Sequence, residues 1–128
     1  MYAEDINKML GMAEKKIDYM QKSPIGYLFL SALAGVYVGF GIVLIFAIGG
    51  PLAKAGSPFL KLVMGASFGI ALSLVIFAGS ELFTGNNMVF AVGRLSKRVG
   101  INPIIVLHAL CYVGNLVGSL SLAWLVVH

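Results

Sequence analysis

Apolar and polar positions fall into long blocks along this chain. Residues 4–22 carry Ile6, Met9, Leu10, Ala13, Ile17 and Met20 at helical spacing, with lysines and acids between them. That spacing predicts an amphipathic helix with one apolar face, suited to a membrane surface or to a gating or subunit-linking arm. Ser23-Pro24 ends it, because the residue before proline is pushed out of the helical region. From Ile25 to about Gly49 there is no charge, and a spanning helix needs about 20 residues. Gly49-Gly50-Pro51 closes this span. A second apolar stretch covers residues 59–93, and a third starts at Asn102-Pro103 and covers 103–127, with proline tolerated in a first helical turn. The expected division is an amphipathic helix over 1–24 and a three-span segment over 25–128.

The second stretch breaks the pattern. From Leu62 to Val92 it holds about 31 residues, and a continuous helix would reach about 46 Å at about 1.5 Å per residue. The hydrocarbon core is about 30 Å thick. Within it lies Gly79-Ser80-Glu81-Leu82-Phe83-Thr84-Gly85-Asn86-Asn87, with the one carboxylate that follows Asp18. Glycine and asparagine weaken helices and accept turn conformations, so the span is predicted to be interrupted near 79–87. Non-helical backbone and ionisable groups are costly at membrane depth and usually line a pathway or a binding site.

Composition narrows the class. Hydrophobic residues make up 59% of the 128 positions and charged residues 11%, against about 25% charged in soluble domains. The net charge of +4 is accounted for by topology rather than by a nucleic-acid partner. Lys8, Lys15, Lys16 and Lys22 precede the first span and Arg94, Lys97 and Arg98 follow the second, whereas Lys54 and Lys61 lie between them. By the positive-inside rule this excess places the N-terminus in the cytoplasm of a multi-pass protein of the cell's inner (plasma) membrane, and it argues against dual orientation. No signal peptide is expected at the charged N-terminus.

Three glycine pairs, Gly35/Gly39, Gly65/Gly69 and Gly114/Gly118, sit one in each span. Small residues at that spacing let helix backbones approach, so tight packing of all three helices is expected. Glu81 is open to three readings: proton carrier, cation ligand, or a structural acid accepting free N–H groups at the break. Thr84 can bond back to its own helix or face a cavity. Leu82 and Phe83 beside the break suit a dry constriction, and Phe68 and Leu72, four apart, share a face that could narrow a passage. His108 suggests a proton relay or, more simply, a bond to another helix, and Asn115 a bond between helices. Trp124, and less securely Tyr112, suit interfacial anchors. Cys111 stands alone, which excludes a disulfide framework within the chain. No phosphate loop, nucleophile–base pair or metal cluster is present, so neither enzyme chemistry nor a cofactor is expected.

Gly79-Ser80-Glu81-Leu82-Phe83-Thr84, followed by Tyr112-Val113-Gly114-Asn115-Leu116-Val117-Gly118, resembles the formate/nitrite transporter family, with the hydrosulfide-channel branch the nearest in kind. The resemblance extends over the whole chain. It implies homopentamers of six-span subunits with an aquaporin-like inverted-repeat fold, each subunit holding its own pore and each repeat one broken helix. This chain would supply half of that fold: an all-α membrane protein with an N-terminal amphipathic helix and three transmembrane helices, the second broken. The resemblance implies that Leu72, Leu82 and Phe83 shape one constriction and Phe68 another, and that Thr84 faces a histidine from the half not present here. Glu81 holds the acidic position before the loop. A second polypeptide or a missing half would supply spans four to six. The function implied is a pore for small monovalent anions such as formate, nitrite or hydrosulfide, aided by protonation. The alternatives are a structural or proton-coupled subunit of a larger membrane complex using Glu81, and a small multidrug antiporter, which the span count and charge bias disfavour.

Overall fold

The computed structural model describes residues 2–128 and holds five helices: α1 (Tyr2–Lys22), α2 (Pro24–Lys54), α3 (Leu60–Phe77), α4 (Phe83–Leu95) and α5 (Ile101–Val127). The protein is all-α, and α2, α3 and α5 are each long and apolar enough to cross a membrane. α1 presents Leu10, Ala13, Ile17 and Met20 to the rest of the chain. It packs mainly on α4 and more lightly on α2 and α5. Ile6 stays exposed, so the apolar face that the periodicity predicts is shorter at its start than expected.

Ser23 and Pro24 make a sharp joint between α1 and α2. The Ser23 hydroxyl oxygen accepts from the Gly26 amide at 3.3 Å, and Pro24 occupies the first turn, where its missing N–H costs nothing because first-turn amides lack helical partners. The other end of α2 corrects an expectation. Gly49-Gly50-Pro51 does not close the helix, which continues to Lys54. Pro51 forfeits one helical bond, but its own carbonyl and the next two are taken: Ala55 donates to Pro51, Ser57 to Leu52 and Gly56 to Ala53.

The buried apolar core joins Ala13, Ile17 and Met20 of α1 to Val89 and Phe90 of α4 and Leu107 and Cys111 of α5, and the most extensive helix pair is α2–α5. A Cβ built on Gly118 would fall on the Ala32 carbonyl, one on Gly35 would fall on the Asn115 carbonyl, and one on Gly114 would meet the Ser31 Cβ. These glycines permit backbone-to-backbone contact that no larger residue allows. α3 lies on the other side of α2, where Gly41 meets Ala71 and Phe68, and Gly49 meets Met64. The second glycine pair departs from expectation. A Cβ on Gly65 or Gly69 meets nothing within 4 Å, because α3 turns its other face, with Ala71 and Val75, toward the chain. Many large apolar side chains are left outward on the spans, with Leu62, Ile76 and Phe77 among the most exposed.

Candidate functional site at the interrupted helix

The interruption is shorter than 79–87. It covers residues 78–82, and Gly85, Asn86 and Asn87 are already helical in α4. Two local causes place the stop. Gly79 adopts φ +64°, the left-handed region that glycine enters without a Cβ clash. The Gly79 amide then donates to the Ile76 carbonyl and the Ser80 amide to the Val75 carbonyl, the pair of bonds that terminates a helix at a left-handed residue. Leu82 is extended (φ −99°, ψ 127°) and starts α4.

Between these ends the backbone is held from both neighbouring helices. The Glu81 amide donates to the Leu30 carbonyl of α2 at 3.3 Å. Asn115 of α5 spans the gap. Its Nδ2 donates to the Ser31 carbonyl at 2.8 Å and to the Glu81 carbonyl at 2.9 Å, while its Oδ1 accepts from the Phe83 amide at 2.9 Å. The Cys111 thiol adds a bond to the Glu81 carbonyl at 3.3 Å. Asn115 thus takes the place of an N-cap for α4, which no side chain of its own N-cap residue provides.

The Glu81 side chain points the other way, toward α1 and α2. Both of its oxygens lie 2.6 Å from the Lys16 ammonium, and Oε2 also accepts from the Tyr27 hydroxyl at 3.1 Å and Asn86 Nδ2 at 3.0 Å. Asn86 Nδ2 donates to the Tyr27 oxygen at 2.9 Å as well. Glu81, Tyr27 and Asn86 are buried, and among the described residues no buried side-chain polar atom lacks a partner. A carboxylate with all these donors is fully occupied in tying α1 and α2 to the break. Lys16 and Tyr27 carry no signal in the linear pattern that would mark them as its partners; their juxtaposition is tertiary. Asn115 lies inside the third glycine pair, and that placement was a legible hint.

The first turn of α4 is less occupied. Thr84 is exposed, and its amide and that of Gly85 have no acceptor among the described residues. A first helical turn with unpaired N–H groups carries partial positive charge. Leu82 is shared between two cavities. One, of about 260 Å³, is lined by Leu82, Phe83, Tyr112, Asn115, Gly35 and Ser119, among others. The other, of about 520 Å³, brings Leu72 and Leu82 together with Lys16, Glu81 and Met12. Phe83 does not reach the second cavity, and neither Phe68 nor Thr84 lines either one. Phe68 leans on Gly41 of α2. His108 bonds to α4, with Nε2 2.9 Å from Asn87 Oδ1.

The sequence profile described as Formate/nitrite transporter matches residues 3–128. The chain is 42% identical over 125 residues to the nitrite transporter NirC of Salmonella typhimurium, covering 98% of this chain and 45% of that protein. It is 35% identical over 99 residues to the formate channel FocA of Haemophilus influenzae, covering 74% and 34%. A solved structure titled FNT family ion channel superposes with a TM-score of 0.88 at 42% identity, covering 96% of this chain and 48% of that one. The chain spans about half the length of the relatives it matches. With an interrupted second span, a matching profile over nearly every residue, and the same backbone course as a channel of that kind, the chain belongs to the formate/nitrite transporter family.

Proposed function

We propose that this chain forms half the wall of a pore for small monovalent anions, formate, nitrite or hydrosulfide, with the interrupted helix as its filter. The observation that carries the reading is a contrast within the break: the Glu81, Asn86 and Asn115 side chains are saturated, while Thr84 is exposed and the Thr84 and Gly85 amides are unpaired. A helix N-terminus with free amides favours a negative ligand, and the flanking Leu82 and Phe83 supply the apolar slot. Such a slot rejects a bare anion far more strongly than a neutral acid, because an unpaired charge there costs several kcal/mol or more. Passage is therefore aided by protonation, with Thr84 bonding the permeant species or a histidine on the facing half.

The facing half comes from spans four to six, on a second polypeptide or on the remainder of a longer chain, and five such subunits assemble in the plasma membrane with α1 in the cytoplasm. Leu72, Leu82 and Phe83 narrow the passage on that side and Phe68 on the other. The resemblance to relatives named for nitrite and formate supports this substrate class. Glu81 acts as the support of the loop, which leaves the proton-coupled alternative without a free carboxylate.

The test is transport by the complete assembly in proteoliposomes. Thr84→Ala should assemble normally and change formate or nitrite flux about tenfold, the scale of one charge-assisted hydrogen bond lost. Unchanged conductance would remove Thr84 from the pathway.

A further inference from the structure

The His108 ring packs on Phe83 and bonds to Asn87. We propose that His108 and Asn87 form a proton-responsive clamp that positions the Phe83 ring, a claim that rests on the pore reading only for its consequence in transport.

His108 Nδ1 lies 2.9 Å from the Ile104 carbonyl, one turn back on α5. A carbonyl only accepts, so Nδ1 carries a proton in every state of the ring. Nε2 lies 2.9 Å from Asn87 Oδ1. With the amide in that orientation Nε2 must also donate, and the ring is an imidazolium. With the amide turned over, Asn87 Nδ2 donates to a neutral ring. The bond survives both protonation states, at the expense of an amide flip.

The ring is also wedged between two aromatics of α4. Its centroid is 5.3 Å from that of Phe83, at 87°, and 5.5 Å from that of Phe90, at 63°. Phe83, Asn87 and Phe90 recur at i, i+4 and i+7, so one face of α4 holds the histidine. A charged ring attracts an aromatic face that a neutral ring holds less strongly. Protonation therefore pins Phe83 against α5, on the Tyr112 side, where the two rings are 5.7 Å apart.

The titratable neighbours do not supply the charge instead. Cys111, one turn along α5, points into the Glu81–Tyr27–Asn86 cluster. Glu81 is held by Lys16 in that cluster, and Tyr112 packs edge-on against Phe83. Arg94 lies two turns further along α4, in its last turn. Glu14 of α1 is paired with Arg98, and Asp18 lies with them beside the start of α5.

The experiment has two readouts on the complete assembly in proteoliposomes. Flux of formate, followed from pH 8 to pH 5, should rise in the wild type, and His108→Gln should reduce that rise about two- to fivefold while leaving flux at pH 8 unchanged. A variant that lowers flux equally at every pH would overturn the clamp in favour of a merely structural histidine, as would an unaltered profile. The second readout is the 15N resonance of the His108 ring. Asn87→Asp replaces the flipping amide with a carboxylate that favours the charged ring, and it should move the titration to higher pH; an unmoved titration overturns the clamp. If the wild type carries neither formate nor nitrite, the pore reading fails, and the resonance still decides the clamp.

Discussion

The α2–α5 seam and the outward faces of α3 and α4 are packed by different rules. Toward α5, the glycines at 35, 114 and 118 are filled to backbone contact, and Asn115 and Glu81 saturate the polar groups of the break. Toward the far face of α3 and the open face of α4, an identical glycine spacing at 65 and 69 meets nothing, and Thr84 keeps two unpaired amides beside it. The motif is the same on both sides; what differs is whether a helix has arrived. In an apolar solvent there is little hydrophobic drive to cover a bare helix, so small residues matter only where van der Waals contact and hydrogen bonds are made across them.

The sharpest way to break this comparison is on the packed side. Gly118→Leu drives a side chain into the Ala32 backbone and should cost about 3 kcal/mol, the upper end of overpacking. Thermal unfolding in detergent, read by the fluorescence of Trp124, checks it; a midpoint within about 2 °C of wild type would mean that the seam is looser than described.

Asn115→Leu comes next. It removes one acceptor and two donor bonds, leaving the Phe83 amide unpaired and the Glu81 carbonyl with the Cys111 thiol alone, an expected loss of about 2–3 kcal/mol. Hydrogen exchange at Phe83 and Thr84 should quicken while α2 stays protected.

Glu81→Gln is milder, about 1–2 kcal/mol, because the amide keeps a bond to Tyr27 or Asn86 while Lys16 loses its partner. Combining it with Lys16→Met should recover most of that loss, since paired removal leaves no stranded charge. A double-mutant cycle measures the coupling, and additive losses would show that the pair is not joined.

The smallest effect belongs to the open side. Gly65→Ala and Gly69→Ala should stabilise this chain by itself by up to about 1 kcal/mol each, through helix propensity. In the complete assembly the sign should reverse if another helix is seated on that face. Unfolding midpoints of the two preparations, compared directly, locate the partner without a structure of it.

Much of this was legible in the residues and some was not. The spacing of Leu10, Ala13, Ile17 and Met20, the joint at Ser23-Pro24, and the excess length of residues 62–92 each have a local cause, so amphipathic helix, span boundary and interruption could be read directly. Pro51 and the Gly85-Asn86-Asn87 run misled because their local cost is small beside the tertiary bonds around them. Asn86 sits in a helix because Tyr27 and Glu81 occupy its side chain, which then no longer competes for backbone. Lys16 on Glu81 depends on helix packing across 65 residues of chain, and no local rule reaches that far.

What the sequence alone determined was the kind of solvent, the number of spans and the presence of a break, since each follows from hydropathy, charge and backbone propensity over a few turns. Only the tertiary structure decided which glycine pair is filled, where within the polar stretch the helix stops, and which face of the break is spent on support. Those outcomes turn on which partner reaches a group first, since a backbone N–H donates and a carboxylate accepts equally readily whether the partner is the next turn, another helix or a passing ligand.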